Sequence, residues 1–65
     1  MKLREFNFNA IPVPGLSIFV EGKEIAMGFI GDVLRKIPIK YADYEIESTN
    51  YFFDVFVIRL KNAEE

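Results

Sequence analysis

The residues best equipped for chemistry are four acids in the C-terminal third, Asp43, Glu45, Glu47 and Asp54. The first three are spaced two apart, so an extended backbone puts them on one side. Such a row suits a hard cation, because calcium and magnesium take carboxylate oxygens. Carboxylates strung along a flat strand do not wrap an ion as a loop does, so the row reads as a solvated face. It is also too weak to imitate nucleic acid. The formal net charge is −2, whereas duplex DNA carries one charge per ~1.7 Å.

Catalysis has little to draw on. The chain contains no histidine and no cysteine, which removes the commonest general base and the best thiol nucleophile. The usual zinc ligand sets go with them. Ser17, Ser48 and Thr49 remain, with no base to activate them. Paired carboxylates can hydrolyse glycosides, but only across a deep cleft. A chain of 65 residues has little material for a pocket of roughly 300–1,000 Å³. The reading is therefore a non-enzyme, with no cofactor and no metal.

A basic and aromatic corner, Arg35, Lys36, Lys40 and Tyr41, is the alternative site. Bases stack on tyrosine with little regard for sequence. Eight basic residues scattered among ten acids make no stripe, however. Weak binding of single-stranded nucleic acid is accordingly the second reading.

The element that must position these residues is the run Tyr51–Leu60. Nearly all of it is aromatic or β-branched, which suits a pleated, well-covered strand. It is too short to span a bilayer as a helix. Nothing near the N-terminus reads as a signal peptide, so a cytoplasmic protein is expected. The hydrophobic fraction of 51% is that of a globular chain. One domain, residues 1–65, is the expectation, near the lower size limit for unaided folding.

Phe6 and Phe8 alternate with Asn7 and Asn9, which predicts a first strand over Lys2–Asn9. Pro12 and Pro14 then make an extended connector. Leu16–Gly28 reads as a hairpin turning at Glu21-Gly22. In that register Val20 faces Lys23, Ile18 faces Ile25 and Leu16 faces Met27. Phe29–Ile37 changes to helical spacing, with Val33, Leu34 and Ile37 on one face and Pro38 as the stop. A second hairpin turning at Thr49-Asn50 would set Ile46 opposite Phe53 and Tyr44 opposite Val55 as core. Residues 62–65 are expected to fray.

The expected fold is α+β: a single curved, mainly antiparallel five-stranded sheet with one short helix on one face. A small β-barrel plugged by the helix is the alternative. The order hairpin–helix–hairpin also suits a β-grasp-like arrangement. In this arrangement Phe52, Phe56 and Ile58 lie away from the helix, beside Asp43, Glu45 and Asp54. An apolar face rimmed by acids marks an interaction surface. The expected function is thus a small protein-binding or self-associating module, plausibly a homodimer, with no membrane partner.

Overall fold

A computed structural model describes residues 1–62. The chain forms strand β1 (Gly15–Val20), β2 (Lys23–Phe29), helix α1 (Ile30–Lys36), β3 (Glu45–Phe52) and β4 (Val55–Lys61). Short 3₁₀ turns occupy Leu3–Glu5, Phe8–Ala10 and Ile39–Asp43. The sheet has four strands in the order β2-β1-β4-β3. Its central pair, β1 and β4, is parallel, and each outer pair is an antiparallel hairpin. This is the hairpin–helix–hairpin plan of a β-grasp-like arrangement. The sheet does not close, so the fold is α+β without a barrel, and β2 and β3 are its edges.

The first hairpin turns where the glycine requires. Glu21 and Gly22 both take positive φ (51° and 83°), the signature of a type I′ turn. Val20 faces Lys23 as expected, but a bulge between Ile18 and Phe19 shifts the rest. Ile18 then meets Ala26, and Leu16 meets Gly28. Each extra residue in one strand reverses the faces beyond it. Met27 consequently lies opposite Ser17, on the other side of the sheet from Leu16 and Ile18.

Helix α1 follows β2 without a break. Its early Asp32 and late Arg35 and Lys36 suit the dipole. Seven residues would not hold as an isolated helix; burial of Val33 against Leu16 and Ile18 fixes it. The Ile37 N–H donates to the Val33 carbonyl at 2.9 Å, and Pro38 ends the run.

Three expectations fail here. The expected fifth strand over Lys2–Asn9 is instead a pair of 3₁₀ turns. The Asn7 side chain caps the second, accepting from the Asn9 N–H at 3.1 Å, and Leu3 is buried. Only the first residues pair with the sheet: Lys2 bridges Glu45, and the Ile46 N–H donates to the Met1 carbonyl. Phe6 and Phe8 are apolar because they roof the core, with Phe6 stacked on Phe56 at 5.6 Å between ring centres.

The second hairpin turns at Phe53-Asp54, not at Thr49-Asn50. Phe52 pairs with Val55, Tyr51 with Phe56 and Asn50 with Val57. That reverses β4. Phe56, Ile58 and Leu60 are buried on the helix side with Leu3, Leu16, Ile18 and Val33. Val55, Val57 and Arg59 take the opposite face. Phe53, expected in the core, is 87% exposed at the hairpin tip. The expected strand start at Tyr41 also moves, because Tyr41 and Asp43 belong to a 3₁₀ turn. Residues 63–65 of the expected fraying tail lie outside the described residues.

The two hairpins meet most closely at Gly15. Its N–H donates to the Asp54 carbonyl at 3.0 Å, and a Cβ there would sit 2.9 Å from that oxygen. Gly15→Ala should therefore lower stability by about 1–3 kcal/mol, the usual cost of overpacking. Ile58→Ala should cost about 2–5 kcal/mol, enough to remove a cooperative urea transition in so small a domain. Phe53→Ala should leave the transition nearly in place. A reversed ranking of Ile58 and Phe53 would contradict the placement of β4.

Candidate functional site

Helix α1 and the 3₁₀ turns cover one face of the sheet, leaving the other open. The strand registers set out that open face as three rows running from β2 to β3. The first is Phe29–Gly15–Val55–Phe52, the second Met27–Ser17–Val57–Asn50 and the third Glu24–Phe19–Arg59–Ser48. Small residues of β1 sit in the middle, and large ones rise from both edges. The face is thus a shallow trough, with a depression of about 320 Å³ between the Met27 and Phe52 walls. Met27, Phe29, Phe52 and Phe53 are all largely exposed.

The far end of the trough is polar. Arg59 lies over the Phe19 ring, 5.1 Å from its centre, a cation–π contact. Ser17, 2% exposed, donates its hydroxyl to Glu24 Oε2 at 3.0 Å. No buried side-chain polar atom lacks a partner among the described residues. The serine is covered and its partner is a hydrogen-bond acceptor, so the pair reads as a satisfied structural contact. Glu24→Ala should cost about 1 kcal/mol, because it strands the Ser17 hydroxyl. Adding Ser17→Ala should restore most of the loss in a denaturant titration. A double variant as unstable as the sum of both singles would contradict this role.

The end near the β3–β4 turn is apolar and slightly undercut. A second depression of about 390 Å³ is bounded by Pro14, Gly15, Met27, Phe29 and Val55. Beside it stands Phe53, packed edge-on against Phe52 at 4.7 Å. Phe53 adopts φ 55°, a left-handed conformation that a bulky side chain disfavours. Positive φ at the first loop residue and not the second is the sign pattern of a II′ turn, where glycine is the ordinary choice. An exposed phenylalanine in a position suited to glycine is not there for the stability of this hairpin.

Of the residues expected at the interaction face, only Phe52 is on it. Phe56 and Ile58 are buried beneath the helix side, because the turn lies four residues later than expected. The acids are dispersed as well. Asp43 forms an ion pair with Arg4 in the N-terminal 3₁₀ turn. Glu45 receives the N-terminal ammonium at 3.0 Å and pairs across the sheet with Lys61. Asp54 lies in the turn, so Glu45 and Asp54 are not cross-strand neighbours. No cluster suited to a metal ion is present among the described residues.

The basic corner is likewise divided. Arg35 pairs with Asp32 one turn earlier on α1, and Lys36 follows on the same helix. Lys40 lies over the Tyr41 ring at 5.0 Å, and Tyr44 meets that ring edge-on. Tyr41 is half-buried against the core, which leaves little open ring for a base to stack on.

Sequence reasoning missed Met27, Phe29, Val55 and Val57 as surface residues. Arg59 and Lys61 held the signal. They alternate with Ile58 and Leu60, which assigns the odd positions of β4 to the open face. No helix among the described residues is long and apolar enough to cross a membrane. No protein-family model, curated protein or solved structure matches the chain.

Proposed function

We propose that the protein is a non-catalytic binding module whose site is the open sheet face, and that its ligand is an apolar protein surface. The carrying observation is the one-sided cover of the sheet. Met27, Phe29, Phe52 and Phe53 are large, apolar and exposed together, while the same sheet buries its other face fully. Contiguous apolar surface rimmed by polar groups is how proteins meet other proteins. Aromatic residues and methionine are the types enriched in such contacts.

The face carries one acid, Glu24, and one base, Arg59, so it offers no charge preference to phosphate or to a strongly charged peptide. Nucleic-acid binding at Arg35, Lys36, Lys40 and Tyr41 is the weaker reading, since Asp32 and the packing of Tyr41 already engage that corner.

The test compares affinity capture from the native host by the parent and by a Met27→Lys/Phe29→Lys variant. Both positions are exposed, so the variant should melt within a few degrees of the parent. A bound protein, including a second copy, that is recovered by the parent and lost with the variant supports the reading. Equal recovery by both proteins, or no binding at any concentration, contradicts it.

A further inference from the structure

Resting on that reading of the open face, we propose that its occupant is a second copy of the chain, packed sheet against sheet. The two-fold axis runs parallel to the strands, between β1 and β4. Such an axis keeps each row in register with itself and exchanges its left and right ends. In the first row, Gly15 of one copy then lies over Val55 of the other, and Phe29 over Phe52. In the second, Ser17 meets Val57 and Met27 meets Asn50. In the third, Arg59 meets the other copy's Phe19 and Glu24 meets Ser48.

This pairing sets small against large through the centre and brings no like charges together. An axis perpendicular to the strands would instead lay the apolar first row over Glu24 and Arg59. The face is self-complementary in one orientation only.

The strained turn supplies the second observation. The same axis carries Phe53 at the tip of β3–β4 onto the β1–β2 side of the other copy. There it reaches the depression bounded by Pro14, Gly15, Met27, Phe29 and Val55. The knob and the hole occur once each per chain, at mirror positions of one end of the face. A two-fold dimer fills both holes at once, which accounts for a phenylalanine held at φ 55° where glycine would be easier.

Size sets the expected strength. Four strands about 4.8 Å apart, with six residues of about 3.3 Å each, make a face of roughly 400 Å² in projection. Even with side-chain relief, that falls at the small end of stable interfaces, so a dissociation constant of roughly 1–100 µM is expected.

Sedimentation equilibrium of three proteins from low to high micromolar concentration decides the matter. The parent should pass from monomer to dimer. Phe29→Lys should stay monomeric throughout. Phe53→Gly should weaken the dimer about tenfold or more while melting higher than the parent when both are monomeric, because it relieves the left-handed strain. That opposition separates a contact residue from a structural one. A parent that remains monomeric at several hundred micromolar overturns the proposal. If such a monomer still captures another protein through Phe29, the copy is the wrong occupant and the binding face stands. A dimer that Phe29→Lys leaves intact overturns the proposal and the face together.

Discussion

The parallel pairing of β1 with β4 is the constraint on which the molecule depends. Each hairpin alone would be marginal in water, and neither holds a complete core. Zipping β1 to β4 from Gly15↔Val55 to Val20↔Leu60 aligns Leu16 and Ile18 with Phe56, Ile58 and Leu60. Only then does an apolar surface exist for Val33 and Leu3 to cover. The join begins at Gly15, where the backbone of the second hairpin approaches too closely for any side chain. A chain with no cysteine has no covalent staple to replace this contact.

The same economy explains the open face. One seven-residue helix and three 3₁₀ turns are enough material to cover one side of a four-stranded sheet. Phe6 and Phe8 are spent on that side, as is Leu3. Nothing remains for the other, where the exposed large side chains gather at the β3–β4 end. Layered domains bury each apolar face against another element, and here the second layer must come from outside the chain. The acids and bases that stood out in the sequence mostly pair with one another on the covered side or its margins, as Asp43 does with Arg4 and Asp32 with Arg35.

What could be read in the sequence follows the strength of the local signals. Glu21-Gly22 located the first turn because glycine at positive φ is a strong local rule. The helix over Val33 and its stop at Pro38 were legible from spacing and from the ring's steric effect. The second turn was not legible, since Phe53 occupies a conformation its own side chain disfavours. Apolar residues on both sides of β4 then allowed either face to be the core. The bulge in the first hairpin, which turns Met27 to the surface, leaves no mark in the pattern of residue types. Both errors fell on the candidate site. Sequence and local propensity disagree where a residue serves something other than the isolated fold.

The central claim is that the open face, and not the helix side, is where this protein meets a partner. A dilution series followed by amide and methyl NMR tests it most directly, residue by residue. The account predicts concentration-dependent shifts at Met27, Phe29, Phe52, Phe53, Val55 and Val57, with Val33, Leu34 and Ile37 unmoved. Shifts centred on the helix and the 3₁₀ turns, with a silent sheet face, would contradict it.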